Sequence, residues 1–442
     1  MNKISLIIHL IIFSFLLSSN AHSFSSSSYL IAQSAITLND YEIASKHYEK
    51  GNLYNLHVSD LKKKLIAFVN SNYLFKASIV ARELIDLDVS NQEAWVVYLA
   101  NAKLINELHL FKEFENQEWG EEYNIVKYIY YSNDKLRKNN NDIARAVFEV
   151  IQASSTSHLN KIANYDYLLF YTIVALNFNP IFNEALFSQA YIYEKIKNYD
   201  KAEQIYQKIN NSSSFYLEAQ KNIAFNKIKN GNIKEAEKIL TTLIQNNRNN
   251  NALNISLADF YRITKQYDLA ISHYTDIIQL KNIDSDQLWQ VLYMRGICFE
   301  RVDQWGKAEK DFLSALEIDP DIPQILNYLA YGWIERNIFI NRSLEMLKKA
   351  VKINPDSHYI LDSLAWAYFK NNDLAKAVES MEKVIKMAPG EAISLDHLGD
   401  IYFALDRKRE AYFMWNQAND LAEPEDGISD SVQLKLQKYN AG

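Results

Sequence analysis

One short segment of the sequence groups side chains that could hold a metal ion. In "LDHLGD", Asp396, His397 and Asp400 offer two carboxylates and an imidazole, which are ligand types that metal ions use. Asp396 and Asp400 are four residues apart and share a helix face, whereas His397 points about 100° away. Three ligands therefore do not converge from this segment alone. The sequence favours a structural or surface role over a metal site, and we predict no metal site.

Recognisable catalytic motifs are missing from the sequence. It has no glycine-rich phosphate loop, no HExxH, no GxSxG and no cysteine pair. The single cysteine, Cys298, lies between apolar neighbours in "RGICFE", which indicates a buried structural thiol. We therefore predict a protein that is not an enzyme, has no catalytic residues and needs no cofactor. An enzyme with its site in the N-terminal region is a third hypothesis, behind the two functions below.

Composition and charge narrow the fold and the partners. With only 10 glycines and 6 prolines in 442 residues, the chain lacks the residues that a turn-rich all-β fold consumes. A mostly helical fold is expected, and 48% hydrophobic residues supply its core. The formal net charge is −7 and no run of basic residues occurs, so nucleic acid is not an expected partner.

The first residues have the pattern of a secretory signal. Lys3 precedes an apolar run from Ile4 to Leu17, and "SSNAHS" follows with small residues at cleavage spacing. The run is shorter than the roughly 20 residues of a membrane-spanning helix. We predict a signal peptide over residues 1–23, with an uncleaved anchor as the alternative.

The rest of the sequence repeats itself. Ala365 and Ala377 lie twelve residues apart, and first members of such pairs recur every 34 residues over much of the chain. Gly332 and Ser343 mark one further unit. The other pairs are Ala190 and Ala202, Ala224 and Ala236, Ala258 and Ala270, Gly296 and Ala308, and Gly399 and Ala411.

Helix packing explains this spacing. Where two helices of a hairpin approach closely, only a small residue leaves room for the facing helix. Proline closes three units, at Pro320, Pro355 and Pro389, because it lacks a donor N–H and restricts the preceding residue. A hairpin of this kind exposes an apolar face that only the next hairpin can cover.

The pattern resembles the tetratricopeptide repeat family. The resemblance implies an all-α, right-handed α-solenoid of stacked antiparallel helix pairs, and therefore a scaffold that binds other proteins. It predicts an array of about seven repeats over 183–423, a divergent helical region over 24–182 and a capping helix over 424–442. Residues 106–182 are either divergent repeats or a separate subdomain. The residues that carry the resemblance are Gly296, Phe299, Ala308, Phe312, Ala315 and Pro320, then Ala365, Tyr368, Ala377, Met381 and Pro389, and then Gly399, Tyr402, Ala411, Trp415 and Ala418.

In that family the first helix of each pair lines a concave inner face on which partners bind. Trp366 is as compatible with packing against a neighbouring repeat as with this groove. The acidic members favour a basic or polar partner, since opposite charges steer association. The predicted groove residues are Tyr293, Arg301, Trp333, Arg336, Tyr359, Asp362, Trp366, Phe369, Asp396, Asp400 and Phe403.

Protein or peptide partners in a bacterial envelope are the resulting expectation. The last three units resemble those of exported repeat proteins of Gram-negative bacteria, which with the signal peptide implies a periplasmic location. The leading hypothesis is a non-catalytic scaffold or adaptor. The alternative is a regulatory or helper subunit of an envelope enzyme acting on cell-wall or lipopolysaccharide material. Membrane contact is expected only through an uncleaved anchor or a partner, and the oligomeric state stays open.

Overall fold

A computed structural model of the chain describes residues 21–51, 56–117, 124–133, 135–156, 165–247, 250–279, 283–424 and 426–440. Residues 1–20, which hold most of the predicted signal peptide, lie outside the described residues. The chain divides into two compact units, residues 1–243 and 244–442. The division of the chain at 182/183 that the repeat pattern suggests stays a prediction.

The unit 1–243 is built from helices, together with one short hairpin of strands. The hairpin pairs Tyr131 with Leu136 and Ser132 with Lys135 in antiparallel register, and it lies in the region where no repeat register was found. The helices are α1 (Ala21–Thr37), α2 (Tyr41–Lys50), α3 (Val58–Asn70), α4 (Leu74–Leu87), α5 (Gln92–Leu104), a 3₁₀ turn (Leu108–Leu110), α6 (Phe111–Glu115), α7 (Asn124–Tyr130), then β1 (Tyr131–Ser132) and β2 (Lys135–Leu136), α8 (Asn140–Thr156), α9 (Tyr165–Phe178), α10 (Asn183–Lys195), α11 (Tyr199–Tyr206), α12 (Tyr216–Lys229) and α13 (Ile233–Asn246), which runs past the boundary.

The unit 244–442 is a regular series of helix pairs, each packed on the next. In each pair we call the helix nearer the N-terminus the first helix. The helices are α14 (Asn251–Ile263), α15 (Tyr267–Gln279), α16 (Ser285–Arg301), α17 (Trp305–Ile318), α18 (Pro323–Glu335), α19 (Ile340–Ile353), α20 (His358–Lys370), α21 (Leu374–Met387), α22 (Ala392–Ala404), α23 (Lys408–Leu421) and a final helix α24 (Ser429–Asn440). This confirms the predicted fold of stacked antiparallel helix pairs.

The repeated small residues lie where the packing argument places them. Ala365 and Ala377 are fully buried, and they share a core with Met381 and Trp415. Beside Gly399, an added methyl group would come within 2.4 Å of the Trp415 ring. The interface between the helices of a pair therefore has no space for a larger side chain at these positions.

Short turns of one type join the helices within most pairs. The turn has three residues, and the middle one adopts a positive φ, as at Asn72 (61°), Gly231 (79°) and Asn372 (61°). Glycine and asparagine tolerate this conformation better than other residues. After Asn372, the side chain of Asp373 accepts a hydrogen bond from the backbone N–H of Lys376 and caps α21.

One pair departs from this rule and corrects the predicted register. The turn between α18 and α19 has four residues, and both Asn337 and Phe339 have positive φ. Ala330 lies as far from the end of α18 as Ala365 lies from the end of α20, so the two residues are equivalent. Ala330 is also fully buried. The choice of Gly332 as the marker of this repeat was therefore wrong by two residues.

Candidate functional site

A cleft of about 570 Å³ crosses the first helices of four successive pairs in the unit 244–442. Arg301 contributes from α16, Asn327 and Tyr331 from α18, and Tyr359 from α20, while Glu391 lies just before α22. Because the first helices lie side by side, residues at equivalent positions of successive repeats line the cleft. The stacking of the repeats therefore forms the cleft.

One repeat position places an oxygen acceptor on this face in three successive pairs. Asn327, Asp362 and Asp396 each stand three residues before the buried small residue of their helix. Their side chains are almost fully buried. We call these three residues the acceptor ladder. A buried acceptor needs a donor, since leaving it unpaired costs about 1–3 kcal/mol.

Two members of the acceptor ladder receive cationic partners from the chain. Nδ1 of His397 lies 3.1 Å from a carboxylate oxygen of Asp362. The Nζ atom of Lys435, on α24, lies 2.7 Å from Asp396 and 2.8 Å from Asp400. The acidic surface that the sequence predicted is thus neutralised internally at these residues. Nδ1 of His397 and Nζ of Lys435 contact the carboxylates that were expected to bind a basic partner.

The third member is unpaired. Oδ1 of Asn327 is buried and finds no hydrogen-bond partner among the described residues. Asn327 lines the cleft together with Tyr331 and Glu335, which follow it at intervals of four and so lie on the same helix face. Asn327 therefore lines the cleft, while its Oδ1 atom is shielded from solvent.

Carboxylates raise the pKa of two groups at this face. Burial raises the pKa of Tyr331, and the nearby carboxylates of Glu335, Asp362 and Asp396 raise it further. Burial by itself would lower the pKa of His397, but Asp362, with smaller help from the other carboxylates, raises it above its ordinary value of 6.5. The carboxylate contributions to both pKa values favour positive charge beside these two groups.

Charges at the rim of the cleft are only partly compensated. The guanidinium of Arg336 stacks over the Trp305 ring at 4.0 Å and donates to the carbonyl oxygen of Gly332. Arg301 lies 3.6 Å from Glu300. By contrast, no cationic group among the described residues pairs with Glu335 or Glu391, although Glu335 accepts a hydrogen bond from Nε1 of Trp366 at 2.7 Å.

Four residues predicted for the groove line the cleft. These are Arg301, Arg336, Tyr359 and Asp362, of which Tyr359 is 45% exposed. Tyr293 is half-buried, and its ring contacts Tyr328 of the next first helix at 6.0 Å.

The predicted tryptophans serve packing instead. Trp333 is 1% exposed, its Nε1 donates to Glu309, and its ring contacts Phe339, so its assignment to the groove was wrong. In the corrected register, Tyr331 occupies the inward-facing position that was predicted for Trp333. Trp366 is also buried, and it stacks on His397 at 4.0 Å and on Phe369 at 4.8 Å. The packing alternative for Trp366 is therefore the correct one.

The remaining predicted residues lie nearer the C-terminal end. Asp400 and Phe403 line a second cavity of about 680 Å³ together with Trp415, Lys435 and Tyr439. Asp396 lies beside it, held by Lys435. Helix α24 therefore forms one wall of this cavity and supplies Lys435 to it.

Sequence reasoning missed the residues that define the cleft most sharply. Asn327 and Tyr331 were overlooked because the register of α18 was anchored on Gly332, whereas Glu335 lies outside the predicted inward positions in either register. A signal was available, since Ala330 follows Pro320 by ten residues, as Ala365 follows Pro355. No comparable signal pointed to Lys435.

Neither metal chemistry nor thiol chemistry has support in the described part of the chain. No group of three potential metal ligands comes together there. Cys298 is buried, and burial raises the pKa of its thiol to about 12. Across the same residues, no helix combines the length and apolar character needed to span a bilayer.

These features describe a series of helix pairs whose first helices line an open cleft. Models of the tetratricopeptide repeat match residues 184–212 and 359–391, which correspond to the pairs α10–α11 and α20–α21. These two segments are tetratricopeptide repeats, and the fold around them supports a protein-interaction scaffold.

Several known proteins match parts of this chain in sequence or in structure. The TPR repeat-containing protein PA4667 of Pseudomonas aeruginosa is 30% identical over 110 residues, which cover 25% of this chain and 18% of that protein. A tetratricopeptide repeat protein from Parabacteroides merdae is 18% identical with a TM-score of 0.45, covering 57% of this chain and 98% of that one. A chain of the APC/C heterotetramer Cut9–Hcn1 is 15% identical with a TM-score of 0.47, covering 94% and 83%.

Proposed function

We propose that this protein is a non-catalytic scaffold that binds a polypeptide partner in the cleft formed by α16, α18, α20 and α22. The observation that carries the proposal is the open cleft of about 570 Å³ across four successive first helices, whose Glu335 and Glu391 have no cationic partner among the described residues. Concave sites of this size are where proteins commonly hold their ligands.

The aromatic lining supports a polypeptide as the ligand. Tyr328, Tyr331 and Tyr359 line the cleft. Tyrosine buries a large area while few torsions are frozen, which makes it a frequent anchor in protein interfaces. An open cleft that spans four helix pairs also suits an extended chain better than a small, enclosed ligand.

The proposed location is the bacterial envelope, with the protein exported to the periplasm. This rests on the apolar run from Ile4 to Leu17 and the small residues after it. N-terminal sequencing of the protein isolated from cells should find a mature terminus close to residue 24. A terminus at Met1 would support the uncleaved anchor instead.

Paired surface variants test the scaffold function. Tyr359 in the cleft and Ile353 on α19 are both 45% exposed, so truncation of either should leave the fold intact. In quantitative affinity purification, Tyr359→Ala should lose partners that Ile353→Ala and the native protein retain. Equal recovery of all partners by the three proteins would contradict the proposal.

A further inference from the structure

We propose that the cleft takes an extended polypeptide segment that carries lysine or arginine, whose positive charge is balanced by the carboxylates of Glu335 and Glu391. This inference rests on the proposed binding function and specifies the chemistry of the partner.

The acceptor ladder provides the first argument. Its three members occupy equivalent positions, and the chain itself fills two of them with cationic or cation-forming groups. His397 faces Asp362 at 3.1 Å, and Lys435 bridges Asp396 and Asp400 at 2.7–2.8 Å. Only the Asn327 position lacks a donor among the described residues. Lys435 thus shows, two repeat positions further along at Asp396, how this face receives an ammonium group.

Charge balance around the cleft provides the second argument. The lining has four carboxylates, those of Glu300, Glu335, Asp362 and Glu391, against two guanidinium groups. The guanidinium of Arg301 lies 3.6 Å from the Glu300 carboxylate, and Asp362 is paired with His397. The guanidinium of Arg336 is stacked on the Trp305 ring.

The two carboxylates left without a cation are those of Glu335 and Glu391, and both belong to exposed residues. An incoming cation would gain charge-assisted hydrogen bonds from them, which are stronger than neutral ones. An anionic segment would instead meet uncompensated repulsion.

The tyrosines provide the third argument. Lysine and arginine carry long apolar stems that pack on aromatic rings while the charged head reaches an acceptor. Tyr328 and Tyr359 flank the Asn327 position from two successive first helices. The cleft therefore offers an apolar wall for the stem and oxygen atoms for the head.

Selection from a random peptide library tests the inference. A phage-displayed library of random dodecapeptides is panned on the immobilised chain, and the charge of the selected sequences is scored. The native protein should enrich peptides that contain lysine or arginine. A double variant Glu335→Gln, Glu391→Gln should bind the same peptides about tenfold more weakly or worse.

A matched control removes the same charge elsewhere. Glu317 and Glu379 are exposed carboxylates on the second helices α17 and α21, so Glu317→Gln with Glu379→Gln should leave peptide affinity unchanged. Thermal unfolding followed by circular dichroism checks that all variants fold.

Several results would overturn the inference. They are enrichment of acidic or uncharged peptides, no enrichment at all, equal weakening by the control pair, and binding of free spermidine as tight as that of the selected peptides. If partners still depend on Tyr359 but their bound segments lack cations, the inference fails while the scaffold function stands. If no partner depends on Tyr359, the scaffold function itself fails.

Discussion

The contact between Gly332 and Trp305 links the packing of the repeats to the shape of the cleft. A Cβ atom added at Gly332 would lie 2.0 Å from Cη2 and 2.4 Å from Cζ3 of Trp305, whereas ordinary contacts begin near 3.4 Å. The same indole ring lines the cleft and carries the stacked guanidinium of Arg336. The substitution Gly332→Ala should therefore displace the ring and disturb the site.

Two opposing effects set the magnitude. Overpacking a well-packed interior destabilises a protein by about 1–3 kcal/mol. Replacing glycine by alanine within a helix returns about 0.5–1 kcal/mol. Because the 2.0 Å approach is far inside van der Waals contact, overpacking should cost about 2–3 kcal/mol. The expected net loss is then about 1–2.5 kcal/mol, which lowers the thermal midpoint of a unit of this size by about 2–10 °C.

The assay is thermal unfolding followed by circular dichroism, with Gly306→Ala as the control. Gly306 lies in α17, is exposed and has no atom within 4 Å of an added Cβ. The control should be unchanged or more stable by up to about 1 kcal/mol. If Gly332→Ala proves as stable as this control, the close approach to Trp305 is wrong and with it the register of α18.

Three further substitutions test the packing and the internal ion pairs. Ala377→Leu should destabilise its helix pair by about 1–3 kcal/mol, whereas Ala375→Leu, at an exposed position, should change stability by less than about 0.5 kcal/mol; equal midpoints would refute the register of α21. Lys435→Met removes the cation shared by two aspartates and should lower stability by about 1.5–3 kcal/mol, while the exposed Lys438→Met should be nearly neutral; similar losses would deny Lys435 its bridging role. Asp362 raises the pKa of His397 in the folded protein. The native protein should therefore be more stable than His397→Gln below about pH 6.5, and this difference should shrink as pH rises through the folded pKa. A difference in stability that stays constant between about pH 5.5 and 8.5 would exclude the charged pair.

Periodicity made most of the fold predictable. A helix hairpin explains why small residues recur twelve apart, as at Ala365 and Ala377, because these residues meet where the two helices approach closely. Both are fully buried. The one local error arose where the turn gained a residue, at Asn337 to Phe339. A single inserted residue rotates the following helix relative to the preceding one, so a register carried across it fails.

The site was less predictable because its pairing is not local. The inner-face pattern located Tyr359 and Asp362, since helical spacing decides which residues share a face. The neutralisation of Asp396 by Lys435 joins residues 39 apart along the chain, and nothing in helical periodicity specifies that contact. Burial of Trp333 and Trp366 depends likewise on neighbouring repeats.

The most direct test of the account is site-specific photocrosslinking in living cells. A photoreactive phenylalanine analogue replaces Tyr359 in the cleft or Ile353 on α19, two positions of equal exposure. The account predicts a discrete crosslinked polypeptide from position 359 and none of that species from position 353. Crosslinks of the same species and yield from both positions, or from position 353 alone, would contradict a partner bound in the cleft.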